Sequence, residues 1–263
     1  MPALREICDF LAALAPSTLA EEWDNVGLLA GDPAAAVARV MTCLTITPGS
    51  AREAAQRRAD LIVSHHPLPF RPLQRVVTDT TVGRLLWQLI TQRIAIYSPH
   101  TAFDSALQGI NQRLAEGLGL VDIVPLWPVP GAPEGTGSGR VGRVAQPATL
   151  HDMANRLKQF LSLEHVHYVG SLAAKIERVA VACGAAGEFL PKAREAGCHL
   201  LVLGETNLHT CLEAEATGIA LLLAGHFASE RFAVDRLADV LAAEFPSAEV
   251  WSSVDERDPI GWL

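Results

Sequence analysis

The sequence predicts an α/β fold, two units of largely parallel sheet with helices between the strands. Two observations predict it. Short apolar, β-branched runs alternate with amphipathic helical stretches along the chain. Those runs are continuously apolar rather than apolar on every second residue, as strands covered on both faces are.

Residues 3–15 read as a helix with Leu4, Ile7, Leu11 and Leu14 at helical spacing, ended by Pro16. Residues 39–47 (RVMTCLTIT) read as a strand, and 50–59 as a helix with Ser50 as its N-cap. DLIVS (60–64) and RIAIY (93–97) read as buried strands around a helix at 80–92, and 105–117 as a helix closed by Gly117 and Gly119. The composition then shifts: residues 128–139 (PVPGAPEGTGSG) hold four Gly and three Pro, the signature of a linker or an exposed loop. Alternation resumes with strands expected at 140–145, 166–170, 178–183, 199–204, 219–225 and 249–254. Helices are expected at 150–161, 187–196, 207–217 and 229–244. The expected organisation is therefore a first α/β unit at 1–127, a linker at 128–139 and a second unit at 140–263.

Composition excludes several classes. With 263 residues, 49% hydrophobic and 19% charged, the chain is globular rather than disordered. A net charge of −8 without a Lys/Arg cluster argues against nucleic acid as a partner. Five scattered cysteines without a CxxC pair argue against a disulfide framework and a thiolate metal site. No signal peptide and no run of about 18 apolar residues is present, so the expected location is the cytoplasm, without a membrane partner.

Three apolar runs end in histidine: DLIVS runs into His65 and His66, RIAIYSP into His100, and IALLLAG into His226. In open α/β sheets ligands sit beyond the carboxyl ends of strands. Asp104 follows His100 by four residues and Glu230 follows His226 by four; if a helix starts after each strand, acid and imidazole share a face. Six nitrogen and oxygen donors are enough for two divalent ions bridged by a carboxylate, and a donor set without thiolate suits Zn, Mn, Fe, Co or Ni. His151, His165, His167 and His199 lack this context and read as ordinary surface or core residues.

The segments LAEEWDNVGLLAGD (19–32), ADLIVSHHPLPF (59–70), IYSPHTAFDSALQGIN (96–111), LVLGETNLHT (201–210) and LLAGHFASE (222–230) resemble those of the NIF3 family, also called GTP cyclohydrolase 1 type 2-like or dinuclear-metal-centre proteins. The resemblance covers nearly the whole chain. It implies a metal site on His65, His66, Asp104, His226 and Glu230, with Glu230 bridging two ions and His100 beside them. It also implies a homohexameric ring with the sites facing an inner cavity. Thr45 and Glu205 depart from the family pattern, each standing where Asp is usual, and the Glu205–His209 segment is altered.

Two functions follow as expectations. The first is a metal-dependent hydrolase acting on a nucleotide or phosphoester, with His100 as a general acid or base. The second is a non-catalytic metal-binding or regulatory ring. Trp23, Asp24 and Asn25 read either as a structural turn or as a loop at the mouth of the site.

Overall fold

The structure, a computed structural model, describes residues 1–261. These divide into two compact units, residues 1–103 with those from 233 onward, and residues 104–232.

The first unit begins with α1 (Leu4–Leu14), whose buried Leu4, Ile7 and Leu11 follow helical spacing. The Glu6 carboxylate accepts the Ala3 N–H at 2.6 Å, which satisfies one of the donors a helix start leaves open. Next come β1 (Gly27–Ala30), β2 (Arg39–Cys43), α2 (Pro48–Gln56), β3 (Leu61–Ser64), α3 (Thr81–Thr91) and β4 (Ala95–Ser98). In α2 the cap is Thr47, not Ser50. Pro48 sets the first helical φ, the Ser50 N–H donates to Thr47 Oγ1 at 3.2 Å, and the Ser50 hydroxyl accepts the Thr47 N–H at 2.8 Å. The chain leaves this unit within α4 (His100–Ser105).

The second unit holds α5 (Ile110–Gly117), β5 (Leu120–Pro128), β6 (Gly137–Thr149), α6 (Leu150–Leu161), β7 (His167–Val169), β8 (Lys175–Ala185), α7 (Leu190–Glu195), β9 (Leu200–Glu205), α8 (Leu208–Thr217) and β10 (Ala220–Leu223). Along α9 (His226–Glu244) the chain passes back to the first unit, where it ends in β11 (Glu249–Ser252).

The first sheet has the order β1-β4-β3-β2-β11, parallel except for antiparallel β1 at the edge. The second has the order β5-β6-β8-β9-β10-β7. There β8, β9 and β10 run parallel, and β5, β6 and β7 join by antiparallel pairing. Central strands of the second sheet carry two cores: Val179, Val181, Leu200 and Val202 face one, and Ala180, Ala182, Leu201 and Leu203 the other. That two-sided burial is why these strands read as unbroken apolar runs.

The division differs from the one the composition predicts. Residues 128–139 do not link two units; they form the turn of a hairpin, because β5 and β6 pair from Leu120↔Val144 to Pro128↔Gly137. Arg140 pins that hairpin. Its side chain is fully buried and donates to Gly137 O, Gly139 O and Ala106 O at 2.6–2.8 Å and to Gln112 Oε1 at 2.9 Å. Burial pulls its pKa down to about 10, so it stays charged at neutral pH. Among the described residues no helix is long and apolar enough to cross a membrane.

Return of the chain to the first unit is fixed by one buried acid. Glu53 on α2 accepts hydrogen bonds from Trp251 Nε1 (3.0 Å), Ser253 Oγ (2.6 Å), Val254 N and Asp255 N (both 3.1 Å). Burial opposes its charge, but the four donors together hold its pKa below the usual glutamate value. Glu53→Ala leaves buried donors unmatched and should cost about 3 kcal/mol of stability. Because the folded pKa is depressed, the stabilisation is complete above the unfolded value and is lost as pH falls through the folded one. The difference in thermal midpoint between wild type and Glu53→Ala should therefore be widest at neutral pH and shrink below about pH 4. A pH-independent difference would refute the assignment.

Candidate metal centre

His65 and His66 leave β3 together. Their backbone N–H groups donate to Cys43 O (2.9 Å) and Leu44 O (2.8 Å), so the segment stays tied to the end of β2. Ser98 Oγ donates to His65 O at 2.6 Å and Ser64 Oγ to His66 O at 2.9 Å. His100 opens α4 just past β4. The three rings converge, with centroids 5.1 Å apart for His65–His66 and His65–His100 and 5.5 Å for His66–His100. One ring nitrogen from each lies within 4.8 Å of the other two. Parallel strands ending side by side bring His100 to the adjacent pair His65 and His66, 35 and 34 positions away in the chain.

His100 has φ of 26°, in the region side chains rarely occupy, a conformation that costs roughly 1–3 kcal/mol and needs surrounding structure to hold it. Asp24 provides that hold. Its side chain is fully buried, with Oδ1 2.7 Å from His100 Nδ1, and its other oxygen accepts from both the backbone and the hydroxyl of Thr101. Burial opposes ionisation of Asp24, but the bonds from His100 and Thr101 outweigh it and draw its pKa down to about 2. His66 is held in the same way, by Thr45 Oγ1 2.6 Å from its Nδ1.

The second unit carries Asp104, His226 and Glu230. His226 opens α9 after β10, and Glu230 stands one turn further, its Oε2 3.2 Å from His226 Nε2. On the opposite ring nitrogen, Glu205 Oε1 lies 2.8 Å from His226 Nδ1. The bond with Glu230 leads in raising the His226 pKa to about 9; burial opposes it, and Glu205 adds to it. Glu230 is 4% exposed. It packs against the backbone of Gly184, which has φ of 67°, so a side chain at 184 would overlap Glu230 Oε1. Beside it, Cys183 Sγ lies 3.3 Å from Asp104 Oδ1. Burial, then Asp104 and Glu230, push the thiol pKa well up. Asn111 links the same elements, accepting from Cys183 N at 2.7 Å and donating to Asp104 O at 3.1 Å. Glu205 also lines a cavity of about 830 Å³ with Thr206, Asn207, His209, Glu188 and Glu213, which places the altered 205–209 segment at an opening.

The structure therefore brings together His65, His66 and His100 in one unit, and His226 with Glu230 in the other, with Asp104 on Cys183. Helices begin at His100 and His226 rather than near 105 and 229, which places each acid one turn beyond its histidine. Sequence reasoning assigned no role toward a histidine to Asp24, Thr45 or Glu205, and it did not single out Cys183. Asp24 and His100 are 76 positions apart, and no local pattern joins them.

A protein-family model described as Duf34/NIF3 (NGG1p interacting factor 3) matches residues 2–259. Among curated relatives, a "GTP cyclohydrolase 1 type 2 homolog" of Clostridium perfringens is 31% identical over 261 residues, covering 99% of both chains. A protein of the same name from Streptomyces coelicolor is 36% identical over 234 residues, 88% of this chain and 82% of that one. Among solved structures, a Bacillus cereus protein related to NIF3 superposes with a TM-score of 0.90 at 23% identity, over 100% of this chain and 99% of that one.

The hydroxyl on His66 gives a direct test. Metal-ligating histidines hold their second nitrogen against an oxygen, and loss of that oxygen typically weakens metal binding about 10–100-fold. Thr45→Val keeps the shape of the side chain and removes the oxygen. Zinc affinity, measured by competition with a chelating dye, should drop by about that factor while the thermal midpoint of chelated protein changes little. Unchanged affinity would remove Thr45 from the site.

Proposed function

The chain belongs to the Duf34/NIF3 family, and from that premise we propose that it binds two metal ions and works as a metal-dependent hydrolase. In this reading His65, His66, Asp104, His226 and Glu230 are the ligands, with Glu230 shared. The observation that carries the reading is an oxygen placed at the same ring nitrogen of three histidines. Nδ1 of His66, His100 and His226 is each 2.6–2.8 Å from an oxygen, of Thr45, Asp24 and Glu205 respectively. An imidazole whose Nδ1–H is donated to oxygen offers its Nε2 lone pair to a metal.

The donor chemistry fits the group. Nitrogen and carboxylate ligands without thiolate suit Zn, Mn, Fe, Co or Ni, and Cys183 is held as the thiol. Two such ions, when bound, supply Lewis-acid activation of water and of the bond to be broken. The protein's own residues supply the rest. Asp24 fixes His100 through Nδ1, so His100 can accept or deliver a proton at Nε2. Asn111 and the Cys183 thiol orient Asp104.

The name of the curated relatives makes GTP the first substrate to try, and a phosphodiester the second. The resemblance also supports a homohexamer, which light scattering would show as six chains per particle, and a cytoplasmic setting.

Purified protein incubated with zinc, manganese or cobalt should retain close to two ions per chain. Under half an ion per chain would refute the metal reading. Metal-loaded protein should release product from GTP or from a chromogenic phosphodiester. With both substrates inert and two ions bound, the non-catalytic metal-binding reading takes its place. Ligand variants separate the roles: Glu230→Ala should lower the content toward zero, while His65→Ala or Asp104→Ala should leave about one ion. If Glu230→Ala still holds two ions tightly, the bridging ligand is another residue, with Asp104 next in line.

A further inference from the structure

Two large aromatic side chains beside the histidine cluster lie open to solvent. Trp23 is 60% exposed and Phe70 46%. Their ring centroids are 5.7 Å apart with planes tilted by 37°. Both meet the His100 ring edge-on, at 6.0 and 5.8 Å. Neither is a core residue, and leaving that much aromatic surface in water is unfavourable.

Nor are they at the tip of a loose loop. Asp24, next to Trp23, is buried and anchored to His100 and Thr101. Asn25 Nδ2 donates to Pro69 O at 2.8 Å, which fastens the Trp23 loop to the Phe70 loop. Glu21 N donates to Thr101 Oγ1 at 3.0 Å. Two exposed rings are thus held on a fixed frame whose anchor is the same Asp24 that fixes His100.

We propose that Trp23 and Phe70 are a stacking platform for a planar heteroaromatic ring in the molecule on which the metal site acts. The proposal rests on the reading of that site as one that handles a small molecule, and it adds the class of group recognised. A tilted pair of aromatic rings offers flat π-faces, which bind a nucleobase-like ring with little regard to its hydrogen-bonding edge. The rings lend no attraction to a phosphate, and they offer a ribose less than they offer a flat ring. Position beside His100 places the ring of the ligand, rather than a remote tail, next to the reacting groups.

The test is equilibrium binding of guanosine, adenosine and ribose 5-phosphate by calorimetry. It uses the full chain as wild type, Trp23→Ala, Phe70→Ala, the double variant, and Trp87→Ala. Trp87 is 55% exposed on α3 and serves as the control. Both nucleosides should bind the wild type, and ribose 5-phosphate should bind less. Each single loss on the platform should weaken nucleoside binding about tenfold, about 1.4 kcal/mol, the double variant should lose it, and Trp87→Ala should match the wild type. Metal content is measured on every sample. Ring-dependent nucleoside binding in protein that retains no metal would sink the metal reading and leave the platform standing. The platform itself is overturned in three ways. One is failure of the wild type to bind either nucleoside at millimolar concentration. Another is wild-type affinity in the double variant. The third is a drop in particle size of the double variant with nucleoside affinity unchanged, which would make these rings a contact between copies of the chain.

Discussion

A neutral imidazole has two nitrogens and one proton, and the candidate metal centre depends on where that proton is held. If it sits on Nε2, the ring cannot offer that nitrogen to a cation. An oxygen stands at Nδ1 of His66, His100 and His226, the arrangement in which an Nδ1–H donated to oxygen leaves Nε2 for a cation; at His226 a carboxylate stands at Nε2 as well. The acceptors are graded. Thr45 is a neutral hydroxyl, Glu205 is a carboxylate half open to solvent, and Asp24 is a carboxylate with no exposure. An anionic acceptor makes its imidazole the more basic, so the three rings are not equivalent donors.

Holding those acceptors in place is what much of the surrounding structure does. Asp24 keeps its charge in a buried setting only because His100 and Thr101 surround it, and the unusual backbone of His100 persists because Asp24 grips its ring. Thr45 sits where Leu44 and Thr45 N–H groups donate to Glu256 at 2.8 and 2.6 Å. The carboxyl-terminal tail therefore fixes the end of β2, and through it the partner of His66. That tail is itself held by Glu53. A chain of polar contacts thus runs from a helix in the middle of the first unit to a site histidine.

The strands that carry the histidines were readable because burial on both faces gives an unbroken apolar run, and such a run stops where the chain emerges at the sheet edge. That end marks His65, His100 and His226. The edge strand β1 and the hairpin strand β5 were not readable. GLLA is short and intermediate in burial, and LVDIVPLWP mixes exposed and buried positions with two prolines. Missing β5 turned the 128–139 hairpin into an apparent linker and displaced the unit boundary. The acceptors on Nδ1 were hidden for a different reason. Asp24, Thr45 and Glu205 reach their histidines only through strand pairing or loop closure, at separations of 76, 21 and 21 residues, and no periodicity encodes such a pair. The notable departures at Thr45 and Glu205 stood at two of these three positions.

The two units contribute opposite chemistry. The first presents three imidazoles, and Asp24 beside them spends its oxygens on His100, Thr101 and Asn25. The second presents Asp104 and Glu230 with a single imidazole already flanked by carboxylates, Glu230 on one ring nitrogen and Glu205 on the other. Neither share suffices for a pair of divalent ions. Imidazoles alone leave the charge of two cations and their mutual repulsion uncompensated. The second share alone offers three ligands, one fewer than a single closed site takes. Two divalent ions held close together call for a carboxylate as the group that offsets their repulsion. Of the two acids of the second unit, Glu230 is the longer by a methylene; it is nearly buried and braced against the glycine backbone at 184, where a larger residue would displace it.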